Sequence, residues 1–139
     1  MRLWHKALIP VLPRQQLLGQ WREVCLIAKE IKEKGTPNHL LVNKVTEYPA
    51  IHLYYYATLV CNAMEQRGYK PDFWKFCRVA PTLTESTVTY ESLFEDWHND
   101  RYLLQCYYNL QEKFDCGGIS KDEFCLIRDA VTMLLEDKI

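Results

Sequence analysis

The sequence predicts an all-α, mostly helical protein: a single compact domain, residues 1–139, of about four helices with irregular connections. Three observations carry that expectation. Apolar residues recur every three to four positions in four separate stretches, the period of a helix with one buried face. Those stretches are punctuated by helix signals: Pro13 and Pro49 before two of them, Gly35, Gly68 and Gly117 after three, which is the usual proline-first, glycine-last asymmetry. A composition of 48% apolar and 25% charged residues is that of a globular domain with a real core, and the length fits one such domain.

The first helix starts at Pro13, where a missing N–H costs nothing. Leu17, Trp21, Val24, Ala28 and Ile31 form its stripe, widened by Leu18 and Cys25, and Gly35 and Pro37 end it. Residues 36–48 read as a connection whose polar members are Asn38, His39, Asn43 and Lys44. The second helix runs from about Pro49 to Gly68 on a stripe of Leu53, Ala57, Val60, Cys61 and Met64. Tyr54, Tyr55 and Tyr56 fall on several of its faces, so they cannot all share one core. Residues 72–96 show no clean period, although Phe73, Trp74 and Phe76 should anchor them; Thr82–Thr89 fits a loop or a short extended piece. The third helix starts near Asn99 or Asp100, both good caps, with Leu103, Cys106, Tyr107, Leu110 and Phe114 facing inward and Gly117–Gly118 as its end. Ser120 and Glu123 form a capping box for the last helix, with Ile119 and Phe124 as its hydrophobic staple.

The bulk numbers exclude several classes. No apolar run reaches the ~18 residues of a membrane span, and the first residues lack a long apolar stretch and a small-residue cleavage site, so a secretory leader is not expected. The six cysteines, at 25, 61, 77, 106, 116 and 125, include no Cys-x-x-Cys pair. Zinc is therefore not expected, and the thiols read as small buried hydrophobes of a cytoplasmic protein. No cofactor is called for. The net charge of −1 argues against strong non-specific DNA binding, since phosphate contacts supply most of that affinity.

Chemistry concentrates on the polar arc of the first helix. At ~100° per residue, Gln15, Gly19, Arg22 and Glu23 lie together, opposite the Leu17–Trp21–Val24 stripe. Gly19 costs ~1 kcal/mol there relative to alanine. Two readings explain it: another backbone packs closely, or a ligand approaches the helix.

Leu8, Leu12, Gln15, Leu17, Arg22 and Glu23, in that order, resemble the opening of the pyrimidine-dimer DNA glycosylases, the endonuclease V-type repair family. The longer run Met-Arg-Leu-Trp-His followed by Leu-Pro-Arg-Gln-Gln-Leu-Leu-Gly-Gln resembles bacterial relatives of that family, and Met64-Glu-Gln-Arg-Gly-Tyr69 is similar to its second-helix end. The resemblance implies a DNA-repair N-glycosylase acting on damaged double-stranded DNA, with abasic-site lyase activity through a terminal amine. It implies Glu23 as the catalytic carboxylate and Arg22 and Gln15 as DNA contacts beside Gly19; Arg14, in the basic opening, and His5, close in sequence to the terminus, are further DNA-facing candidates by position alone. The phage members use a threonine amine exposed by methionine removal. Here the second residue is Arg2, a large side chain that disfavours such removal, so Met1 carries the expected amine and Arg2 adjoins it. Gln16 stands where the phage members have histidine.

Such chemistry fits those residue types. Cleaving a base–sugar bond develops positive charge at the sugar, which a carboxylate stabilises. An α-amine, with an ordinary pKa of ~7.7–8.0, is neutral often enough to attack the sugar carbon. Trp4 and one of Tyr54–Tyr56 are candidate stacking surfaces, with core packing as the competing explanation; Trp21 belongs to the apolar stripe. A second functional class stays open: a non-catalytic helical module that keeps the fold and binds nucleic acid or protein.

Gly117 to Phe124 looks like half of a calcium loop, but counting back puts Phe114 and Cys116 at ligand positions. The capping box explains the same residues without an ion.

Overall fold

The structure is a computed structural model describing residues 1–84 and 86–136. Among these residues there are helices and no strands. The α-helices are α1 (Arg14–Lys34), α2 (Ala50–Gln66), α3 (Phe73–Val79), α4 (Asp100–Asp115) and α5 (Lys121–Glu136), with 3-10 turns at Lys6–Val11 and Asn43–Glu47. The expected all-α class holds, and its four long helices are α1, α2, α4 and α5. The short elements, including α3 within the aperiodic segment, are additions. Elements of five to seven residues, about two turns each, are too short to show a period.

The packing has two halves. α1 lies against α2 and α3, α4 lies against α5, and the Lys6–Val11 turn sits between α2 and α5. Leu3, Leu8, Ile9 and Leu12 of this lead-in are fully buried, each contributing ~1.5–3 kcal/mol of hydrophobic stabilisation. The N-terminal segment is therefore part of the core that joins the halves.

Helix ends follow local chemistry. At the end of α2 the Tyr69 N–H donates to Met64 C=O and Gly68 N–H to Glu65 C=O; at the end of α4 the Gly118 N–H donates to Lys113 C=O and Gly117 N–H to Phe114 C=O. Both are Schellman motifs, and each needs a left-handed residue, supplied by Gly68 (φ 89°) and Gly117 (φ 83°). The calcium-like sequence is this helix stop followed by the capping box, in which Glu123 N–H donates to Ser120 Oγ at 3.1 Å. Among the described residues no three His, Cys, Asp or Glu side chains form a metal cluster, and no helix is long and apolar enough to cross a membrane.

Residues 89–99 fold as turns around an aromatic core. Phe94 packs against Tyr48, His52, Tyr56, Trp97 and His98. Its N–H donates to His52 Nδ1 at 3.1 Å. Lys6 ties this segment to the lead-in. Its N–H donates to His98 Nδ1 at 2.9 Å, and its ammonium donates to the carbonyls of Tyr90, Glu91 and Leu93. These contacts replace hydrophobic periodicity as the source of order.

Candidate active site

Residues 2–4 run extended beside α1, and side chains satisfy their backbone groups. Gln20, buried on α1 at 1% exposure, does most of this. Its Oε1 accepts from Trp4 N–H at 2.8 Å, and its Nε2 donates to Arg2 C=O at 2.8 Å. The Tyr56 hydroxyl of α2 lies 2.6 Å from Trp4 C=O and 2.8 Å from Gln20 Oε1. The Tyr102 hydroxyl of α4 donates to Leu3 C=O at 2.6 Å. A buried peptide group must find such partners, because leaving it unpaired costs about as much as a lost hydrogen bond. Three helices thus converge on three residues, and burial holds both tyrosine hydroxyls above their ordinary pKa, in the protonated donor form.

This arrangement delivers the chain's start to the polar arc of α1. The Arg2 N–H points at Glu23 Oε2 from 3.5 Å, and Gln20 Nε2 donates to the same oxygen at 3.3 Å. Around them lies an open cleft of about 580 Å³, whose walls include Met1, Arg2, Gln15, Gly19, Arg22 and Glu23. All six of those sequence-singled residues come together. Leu41, Asn109 and Lys113 line it as well. Its charged side chains are Arg2, Arg22 and Lys113 against one carboxylate, Glu23, a local cationic excess in a chain of net charge −1. Such a patch can hold phosphates even when the whole chain cannot.

Gly19 forms part of the cleft wall. A Cβ built there would meet only Arg22 Nη2, at 3.7 Å, so close packing of another backbone does not explain the glycine. The Gln16 Oε1 atom is buried without a hydrogen-bond partner in the same wall.

Other candidates lie elsewhere. His5 is buried, caps the first 3-10 turn by accepting from Ala7 N–H at 3.1 Å, and stacks on His98 at 5.1 Å; it borders a separate pocket. The short apolar lead-in turns His5 away from the α1 arc, which sequence proximity to the terminus cannot reveal. Arg14 flanks a second cleft that shares Gln15 and Gln16 with the first, and its Nε donates to Tyr69 Oη at 2.7 Å. Its backbone N–H donates to Glu123 Oε2 at 2.8 Å, the main reason that carboxyl lies below its ordinary pKa. Lys6 is committed to backbone carbonyls and is unavailable to phosphate. Trp4 is buried, with the Arg2 guanidinium 5.4 Å from its ring centroid. Tyr56 is fully buried and Tyr54 packs edge-on against Phe76. Trp4 nevertheless borders the cleft, whereas Tyr56 is sealed in the core and offers no face for a base.

Sequence reasoning missed Gln20, Tyr56 and Tyr102 as positioning groups and Lys113 and Asn109 as cleft residues. Gln20 did carry a signal, since it falls between Leu17 and Val24 beside the buried stripe. Lys113 carried none, because it joins the cleft only through the packing of α4.

The family profile for pyrimidine dimer DNA glycosylase matches residues 1–75, a stretch that contains the lead-in, α1, α2 and the start of α3. No curated protein and no solved structure matches the chain. The match spans more than half of the 139 residues and includes Met1, Arg2, Gln15, Gly19, Arg22 and Glu23 of the cleft. The chain belongs to the pyrimidine dimer DNA glycosylase family.

Proposed function

We propose that the cleft is the active site of an N-glycosylase acting on pyrimidine dimers in double-stranded DNA, with abasic-site lyase activity through the Met1 amine. The observation that carries this reading is the 3.5 Å approach of the Arg2 N–H to Glu23, which puts the neighbouring Met1 residue and a carboxylate in one cleft.

The steps follow from the groups present. Arg22 and Lys113 hold phosphates at the cleft, and the absence of a side chain at Gly19 lets the sugar–phosphate backbone approach α1. The neutral Met1 amine attacks C1′ of the damaged nucleotide as the C1′–N bond breaks; the base takes the bonding pair and stays tethered to the other pyrimidine of the dimer. Glu23 stabilises the positive charge that develops at the sugar. One amine proton neutralises the departing base, and water protonates the ring oxygen as the ring opens, leaving a protonated imine at C1′. Loss of a C2′ proton then expels the 3′ phosphate, and water releases the sugar remnant from the amine. Local unstacking is needed first, and it costs least at an already distorted lesion.

Incubating the protein with duplex DNA carrying a thymine dimer or an abasic site, with and without borohydride, tests the reading. Cleavage plus a trapped adduct supports both activities. An alkali-labile site at the dimer without an adduct, the mark of a broken glycosidic bond, supports the glycosylase alone. No reaction on either substrate refutes the proposal and favours a non-catalytic DNA-binding module.

A further inference from the structure

Leu40 is 90% exposed and Leu41 50% exposed, side by side at the tip of the loop between α1 and α2. Single exposed leucines are ordinary. These two are set apart by how they are held and by where they stand.

The tip is rigidly backed. His39 C=O accepts from the N–H groups of Val42 at 3.0 Å and Asn43 at 2.9 Å. The Asn43 side chain closes the turn from beneath, its Oδ1 accepting from His39 N–H at 2.8 Å and lying 3.3 Å from Thr36 Oγ1. Asn38 adopts a left-handed conformation (φ 52°) that turns the chain into the tip, one that asparagine tolerates. Behind the tip, Val42 and Val45 are buried. The loop thus presents two apolar side chains on a fixed support.

The position is equally specific. Leu41 lines the cleft that holds Met1 and Glu23. The base of the loop, Pro37–His39, shares a smaller pocket with Met1. Arg22 and Lys113 line the same cleft as Leu41. An apolar tip beside a cationic cleft matches the two parts of a duplex: stacked bases inside, phosphates outside.

We propose that Leu40 and Leu41 form a wedge that enters the base stack beside the lesion and holds the duplex open while Glu23 and the terminal amine reach the sugar. This rests on the glycosylase reading of the cleft. Apolar side chains inserted between base steps unstack and kink a duplex, and phosphate contacts on either side hold the bent form. Leu40 supplies the exposed apolar point. Leu41 continues it into the cleft. Of the stacking candidates Trp4 and Tyr54–Tyr56, Tyr56 is fully buried and Trp4 borders the cleft from its inner wall, so the exposed apolar point beside the cleft is this wedge.

The test compares full-length wild type with Leu40→Ser and Leu40→Met on a thymine dimer in duplex DNA and in a single strand. Leu40 is 90% exposed, and an exposed substitution of this kind leaves folding intact, which circular dichroism checks. Leu40→Ser should lose about tenfold or more of duplex cleavage, because the unstacking it assists is unassisted in the variant. Cleavage of the single strand, which has no stack to open, should stay within about twofold of wild type. Leu40→Met should restore duplex cleavage. In a Glu23→Gln background, 2-aminopurine beside the lesion should brighten on binding, and adding Leu40→Ser should remove that rise. Equal losses on both substrates, or wild-type duplex cleavage by Leu40→Ser, overturn the wedge while leaving the active site standing. Failure of wild type to cleave either substrate overturns both. If Leu40→Ser instead dissolves a concentration-dependent dimer with duplex cleavage unchanged, the tip is a contact between copies and the wedge is refuted.

Discussion

The Arg2 amide faces the Glu23 carboxylate across 3.5 Å, although 21 residues separate them in the chain. The lead-in turns back along α1, so a terminal residue and a mid-helix acid share one cleft. Glu23→Gln preserves shape and removes charge. We expect steady-state turnover on dimer-containing duplex to fall on the order of 100-fold or more, with the unfolding midpoint unchanged. Retention of wild-type turnover would remove Glu23 from the chemistry.

The amine is tested at the other end of the same contact. A short N-terminal tag, or acetylation verified by mass spectrometry, should abolish borohydride trapping on abasic DNA while leaving the circular dichroism spectrum intact. A tagged protein that still forms the adduct would shift the nucleophile to a lysine. Lys113 is then the first to replace, because it borders the cleft whereas Lys6 is occupied by three carbonyls.

Phosphate binding should divide the basic residues into two groups. Arg22→Ala and Lys113→Ala should each lower the slope of log affinity against log salt by about one unit. Lys6→Met should leave that slope unchanged and destabilise the fold by ~1–3 kcal/mol, since carbonyls of the 90–93 turn lose their donor. A fluorescence-anisotropy salt titration and a urea melt on each variant separate the two effects.

Gln20 holds the terminal segment to α1. Gln20→Leu leaves Trp4 N–H and Arg2 C=O without their partner, and each unsatisfied buried group costs ~1–3 kcal/mol. Stability should fall by about 2–6 kcal/mol, and turnover should fall with it even at temperatures where the variant is fully folded. A variant with full activity would show that the lead-in needs no such anchor.

Stability should decline in mild acid. His98 lies well below its ordinary pKa of 6.5, mainly through burial and then through the charges of His5 and Lys6; His52 is lowered in the same direction by burial and by Lys6. Below pH 6.5 the unfolded chain takes up protons that the folded one refuses, so stability is complete above that pH and is lost as pH falls. The slope should approach ~1.4 kcal/mol per pH unit for each histidine involved. Urea midpoints between pH 7.5 and 5 test this, and a flat profile would contradict it.

The sequence by itself determined the helices and the polar arc of α1. Caps, prolines, glycines and apolar spacing act within a few residues of one another, so Gly35, Gly68, Gly117 and the Ser120–Glu123 box mark their elements with no knowledge of the fold. The same locality placed Gln15, Gly19, Arg22 and Glu23 on one side of one helix. Tertiary structure alone decided what faces that side. The contacts that aim the terminus run from Tyr102 to Leu3, from Tyr56 to Trp4 and from Gln20 to Arg2, and hydrogen bonds between distant segments leave no period in the chain. For the same reason His5 and Lys6, adjacent in sequence to the cleft residues, are committed to the 90–98 turns, while Lys113 reaches the cleft from the far end of the chain.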